Sequence, residues 1–251
     1  MKRVNQQGSQ GNVKPKPVKK TVSFNQDVTG ETVTDDSAKP TSTKQVSVVP
    51  QLTSSLIAIP IHNILILWGL FHYGITKNVD GIMLRGFLTS LPIQAAYNFI
   101  LAKNTVRKSK HTNVPLLVVS SVLVSIVLAV PLFTAIILLG APVFMFSFKT
   151  ACLALHLSQL VFSPLIVLYS LDFQHFKLLF NQDHIYYTIF GHPVLSQVLL
   201  TLGGCWLGVI PIPLDWDRPW QQWPITLLVG AYLGGIVGSV ISLVVSTWVR
   251  K

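Results

Sequence analysis

Charge is scarce in this chain. Asp, Glu, Lys and Arg make up 11% of its 251 residues, less than half the share of about 25% found in ordinary soluble domains. Half of the residues are hydrophobic and the mean hydropathy is +0.54, which excludes a water-soluble fold of this length. Cysteine is rarer still. Cys152 and Cys205 both lie inside apolar runs, whereas a disulfide framework or a zinc site needs clustered ligands near water. Both read as small buried hydrophobes. Acidic residues are few as well: beyond position 44 only Asp80, Asp172, Asp183, Asp215 and Asp217 occur. Asp172 and Asp183 are expected on the cytoplasmic side, and what remains in the lumen, even with His72 added, is too sparse for a two-metal phosphoryl-transfer site. No Ser or Cys stands in a recognisable nucleophile context. No catalytic residue, metal site or cofactor is therefore assigned. The first thirty residues lack an apolar core, so no cleavable signal peptide is expected, and targeting falls to the first spanning helix.

The charge that is present is unevenly placed. Of nineteen basic residues, eight lie between Lys2 and Lys44, together with four of the nine acidic ones. Residues 1–50 are rich in Lys, Pro, Gln, Ser, Thr and Asp, and are expected to form a disordered cytoplasmic tail, because such a composition buries too little apolar surface to offset chain entropy. The net charge of +10 does not mark a nucleic-acid-binding face, which needs a folded basic surface with interleaved aromatics. Here the cations border apolar runs.

Beyond the tail the pattern predicts an all-α, polytopic membrane helical bundle. A span needs about 20 predominantly apolar residues. Six such runs are expected, at approximately 53–73, 86–102, 115–140, 150–171, 194–213 and 224–249, so residues 51–251 form one six-helix domain. The second run is short, but Arg85 and Lys103 at its ends can snorkel outward. The long uncharged stretch 111–148 has two readings: one helix followed by a turn at Ala141-Pro142, or a division at Pro131. Short loops rich in Lys and Arg stay cytoplasmic. With six spans the terminal side carries fifteen cations and the opposite side only Lys77, Arg85, Lys149 and Arg218. Both termini are therefore expected in the cytoplasm, and the connection between the last two spans in the lumen.

Polar residues inside the runs are His62, Asn63, Gln94, Asn98, His156, Gln159 and Gln197. Gln94 and Asn98, like His156 and Gln159, have one-face spacing and can point into the bundle. Interhelical hydrogen bonds of this type contribute roughly 0.6 kcal/mol each. No charged residue lies mid-span, so the relay usual in ion-coupled transport is missing. Structural ties are the simpler reading, and a substrate path the other.

The most informative segment is 203–239. It holds an apolar run, a hydrophilic hairpin and a second apolar run punctuated by glycine. Gly204 and Gly208 recur at four-residue spacing on one helix, and Gly230, Gly234 and Gly238 on the next. That spacing keeps them on one face, where missing side chains allow close backbone approach. The approach can serve either packing of the last two helices on each other or docking of a helix from another subunit. In the connection, Asp215, Asp217 and Arg218 stand among Trp216, Trp220 and Trp223, with Pro211, Pro213, Pro219 and Pro224 restricting the backbone. Two roles are open for this tip: contact with a lipid headgroup or partner protein, or simple anchoring by tryptophans at the interface.

The string from Pro211 to Pro224, PIPLDWDRPWQQWP, resembles the signature of the PIG-F family, small multi-spanning proteins of the endoplasmic reticulum that act in glycosylphosphatidylinositol (GPI) anchor synthesis. Elsewhere the resemblance rests on size, helix number and hydropathy. It implies a non-catalytic subunit that stabilises the larger GPI-ethanolamine phosphate transferases acting on the second and third mannoses. On that reading Asp215, Trp216, Asp217, Arg218, Pro219, Trp220 and Trp223 contact partner or lipid, and the location is the endoplasmic reticulum membrane. Two alternatives stand beside it: a protein that binds or presents phosphatidylethanolamine or the GPI precursor, and a membrane-embedded transferase in its own right.

Overall fold

The structure, a computed structural model, describes residues 49–54, 57, 59–106, 113–142, 144, 146–170, 176–177, 179–180, 184–214 and 216–249. The expected tail, the basic loop at 107–110, and Asp172, Asp183 and Asp215 lie outside these residues. Among the described residues seven α-helices occur and the sole β-type pairing is an isolated bridge, Leu52 to Thr105. The helices are α1 (Ile61–His72), α2 (Val79–Asn104), α3 (Val114–Leu138), α4 (Ser147–Tyr169), α5 (Ile185–Gly191), α6 (Pro193–Leu207) and α7 (Ile225–Val249).

Local chemistry explains where these helices depart from the expected runs. The first run gives a helix of only 12 residues. Pro60 stands at its N-cap and disfavours helical backbone in the residue before it. Upstream, Gln51 and Thr53 instead exchange backbone hydrogen bonds with Val106 and Asn104, each 2.9 Å long. The second helix starts well before residue 86. The Asn78 side chain accepts the Gly81 N–H at 3.1 Å, capping the first turn, and Asp80 suits the positive end of the helix dipole. Pro131 does not divide the third run but sits inside a continuous helix of 25 residues, about 37 Å long at 1.5 Å per residue. The fifth run is helical only to Leu207 and then turns.

Helices α3, α4 and α7 are each long and apolar enough to cross a membrane. A fourth span arises if α5 and α6, bent by 97° at their junction, count as one. α1 is apolar but short, and α2 carries Asp80, Arg85 and Lys103 within its length. The bundle is organised around α4, the most buried helix, which packs on α2, α3, α6 and α7. α6 and α7 form the most extensively packed pair, and α1 leans on α2 and α7.

Several interior polar residues tie these helices together, whereas the buried side-chain amides of Asn63 and Gln94 have no hydrogen-bond partner among the described residues. His156 bonds through Nε2 to the Met83 carbonyl (3.0 Å) and through Nδ1 to the Tyr232 hydroxyl (2.8 Å). Because a carbonyl only accepts, Nε2 carries the proton and Nδ1 accepts from Tyr232. One ring thus links α2, α4 and α7. Asn98 donates to Ser163 (2.6 Å) between α2 and α4. Gln197 on α6 meets His62 of α1 at 3.2 Å and accepts from Tyr97 of α2 at 3.4 Å.

Candidate functional site: the α6–α7 hairpin

The hairpin begins with its seam. An ideal Cβ built on Gly204 would collide with the Gly230 carbonyl, on Gly208 with that of Thr226, on Gly234 with that of Leu200, and on Gly238 with that of Ser196. Gly230 in turn meets the Gly204 carbonyl. All five glycines therefore face the opposing backbone of their own hairpin, and any side chain there would force α6 and α7 apart. Ser196 adds a hydrogen bond across the seam to the Gly238 carbonyl at 2.7 Å. Gly203 differs, since nothing lies within 4 Å of its Cβ position. It faces a lateral apolar groove of about 740 Å³ that runs along the seam and is walled by Leu200, Leu207, Leu233 and Val237, with Trp220 at its hairpin end.

The connection is built around a residue that the sequence pattern did not single out. Gln221 is buried to 8% exposure. Its Oε1 accepts the Arg218 N–H at 2.8 Å, and its Nε2 donates to the Pro211 carbonyl at 2.8 Å and the Leu214 carbonyl at 2.9 Å. One amide thereby satisfies three backbone groups of a turn rich in proline, which has few donors of its own. A 3-10 turn, Pro219–Gln221, leads toward α7. Trp223 anchors the whole element, its Nε1–H donating to Thr150 Oγ1 at 3.0 Å on the first turn of α4. The sequence signal available for Gln221 was slight: an uncharged amide between tryptophans.

The remaining tip residues point outward. Trp216, Asp217, Arg218, Pro219 and Trp220 are all exposed, and the Trp216 and Trp220 rings lie 5.9 Å apart. Asp217 adopts a left-handed backbone (φ 44°), which Asp and Asn tolerate better than most residues. Among the described residues the one ion pair is Lys149 to Asp80, at 4.0 Å, so Asp217 and Arg218 do not pair with each other. Asp215 lies outside the described residues. Trp223 is separated from the exposed group and turned into the bundle. The structure therefore splits the sequence-defined set into an exposed face and an internal anchor.

A seamed hairpin set into a bundle of apolar helices defines a polytopic helical membrane protein. The chain belongs to the GPI biosynthesis protein family Pig-F, whose model matches residues 58–243. It is similar to glycosylphosphatidylinositol anchor biosynthesis protein 11 of Candida albicans, with 52% identity covering 92% of this chain and 97% of that protein. The same-named proteins of Debaryomyces hansenii and Saccharomyces cerevisiae are 42% and 31% identical, covering 76% and 89% of this chain and 84% and 93% of their own lengths. No solved structure matches.

Proposed function

We propose that this protein acts in GPI-anchor biosynthesis as a non-catalytic, stabilising membrane subunit of GPI-ethanolamine phosphate transferases, in the endoplasmic reticulum membrane with both termini cytoplasmic. Its partners on this reading are the larger catalytic subunits that modify the second and third mannoses in the lumen. One observation carries the reading. The hairpin tip is held from inside by Gln221 and Trp223 while it presents Trp216, Asp217 and Arg218, and neither charge is ion-paired among the described residues. A preformed surface of exposed aromatic and charged groups matches the composition of protein-contact anchors.

The Asp217→Asn variant tests it, because Asn keeps the size and tolerates the left-handed backbone while removing the charge. A stabilising subunit loses partner abundance in this variant, and ethanolamine-phosphate transfer falls in proportion. A complex assembled at normal levels yet almost inactive would instead make Asp217 catalytic and sink the subunit reading. A second reading, lipid presentation, is favoured by the lateral groove, whose largely apolar walls along the seam suit an acyl chain. On that reading the purified protein binds phosphatidylethanolamine or the GPI precursor without a partner.

A further inference from the structure

A second cavity, of about 400 Å³, lies at the opposite end of the bundle from the hairpin, where the N-terminus of α6 meets the last turns of α7. Its polar lining comes from Gln51, Thr53, Ser54, His192, Ser242 and Ser246, with Leu243 among its apolar walls. Thr53 donates to the Asn104 carbonyl (3.0 Å), Ser242 to the Ser239 carbonyl (2.8 Å) and Ser246 to the Leu243 carbonyl (3.0 Å). These three hydroxyl protons are thus committed to the backbone, and what the three groups have left to offer is lone pairs. His192 completes the set. Its Nε2 lies 3.2 Å from the Pro50 carbonyl, which only accepts, so Nε2 carries the proton and Nδ1 is an acceptor. That Nδ1 is buried and has no partner among the described residues. Burial lowers the His192 pKa to about 4, against an opposing upward pull from the Pro50 carbonyl, so the ring is neutral at physiological pH and keeps this acceptor.

Three hydroxyl oxygens and His192 Nδ1 thus offer lone pairs to the donors of a ligand, while the Gln51 amide can donate in return. Among the described residues no carboxylate, Lys or Arg lines the cavity, so a charged group of either sign would enter a partly apolar site without a counter-charge. Neutral hydroxyl groups fit both conditions, and the volume is ample for a single six-membered ring. We propose that the cavity formed by Thr53, His192, Ser242 and Ser246 is a binding site for a neutral polyhydroxylated ring, with one ring hydroxyl donating to His192 Nδ1. The ring is supplied either by a lipid headgroup or by a soluble polyol. The site lies apart from the hairpin and does not depend on the subunit role.

The test uses the full-length protein in detergent micelles, with native mass spectrometry counting retained lipid. Dioleoyl phosphatidylinositol carries the ring, dioleoyl phosphatidic acid carries the phosphate without it, and dioleoyl phosphatidylethanolamine carries an ammonium group. Phosphatidylinositol is expected to be retained about tenfold over phosphatidic acid, and His192→Phe, which keeps a ring but removes the acceptor, to abolish most of that preference. Ser246→Val, at the half-buried rim, is expected to do the same by removing an acceptor and adding bulk, and it decides the matter should His192→Phe fail to fold. Displacement of phosphatidylinositol by millimolar free myo-inositol would identify the ring alone as sufficient. Preference without displacement would assign the lipid headgroup. Equal retention of phosphatidylinositol and phosphatidic acid with no binding of free myo-inositol, preferential retention of phosphatidylethanolamine, or wild-type preference in a folded variant overturns the proposal.

Discussion

Trp223 and Thr150 are 73 residues apart in sequence, yet the indole N–H of one donates to the hydroxyl of the other at 3.0 Å. Thr150 itself donates to the Phe146 carbonyl at 3.0 Å, so its oxygen acts as donor and acceptor at once. The contact fastens the terminal hairpin to α4, the helix around which the bundle is built. The tip is consequently a fixed feature of the fold at its base and a solvent-facing one at its end.

Replacing Trp223 by Phe keeps most of the ring and removes the donor. Thr150 retains its own hydrogen bond, so no buried group is stranded. The expected cost is about 1 kcal/mol, that of a single hydrogen bond, visible as a fall of a few degrees in the unfolding midpoint of the purified full-length protein. An unchanged midpoint would show that the contact does not hold the hairpin.

Gln221→Leu is expected to be more damaging. It strands the Pro211 and Leu214 carbonyls and the Arg218 N–H together, at roughly 1–3 kcal/mol for each group that water does not reach. Chymotrypsin cleavage after Trp216 or Trp220 should accelerate several-fold in this variant relative to the native chain. Equal cleavage rates would show that the turn is stiff without its central amide.

The glycines separate into two kinds, and the pair Gly234 and Gly203 tests the difference. Gly234→Leu drives a side chain into the Leu200 carbonyl, and because a backbone group cannot yield, accumulation of folded protein should drop severely. Gly203→Ala meets open space and replaces glycine by a better helix former, so it should be neutral or gain up to about 1 kcal/mol. Similar behaviour of the two variants in detergent-extracted yield and thermal stability would contradict the seam geometry.

Orientation is tested with one introduced thiol. Cys152 and Cys205 are both buried, which leaves little background for a membrane-impermeant maleimide. Arg218→Cys places a thiol on the exposed tip. In sealed microsomes it should remain unlabelled until the membrane is permeabilised, as luminal placement requires. Labelling of intact microsomes would put the tip in the cytoplasm and remove the basis for a luminal site of action.

Much of the architecture was legible from residue order because the relevant forces are local or one-dimensional. A hydrocarbon core demands long apolar runs, and charges mark their ends. Helical content, the terminal hairpin and the dense tryptophan and proline turn follow from that alone. Helix boundaries were less legible. The cap at Asn78 and the Pro60 start depend on side-chain geometry, and the pairing of 51–53 with 104–106 joins segments distant in the chain.

Residue order by itself determined that this is a helical membrane protein, and the string at 211–224 with the four-residue glycine spacing marked the last hairpin as the segment of interest. Only the tertiary structure decided which partner the glycines face. Helical periodicity places residues on one side of a helix but does not say what stands opposite, and here the answer is the carbonyls of Leu200, Gly204 and Thr226 within the same hairpin. It also decided that Gln221 organises the turn, that Trp223 turns inward while Trp216 and Trp220 stay outside, and that His192 shares a cavity with Ser242 and Ser246. Those outcomes are set by hydrogen-bond donors and acceptors meeting across separate helices, and no one-dimensional pattern records such meetings.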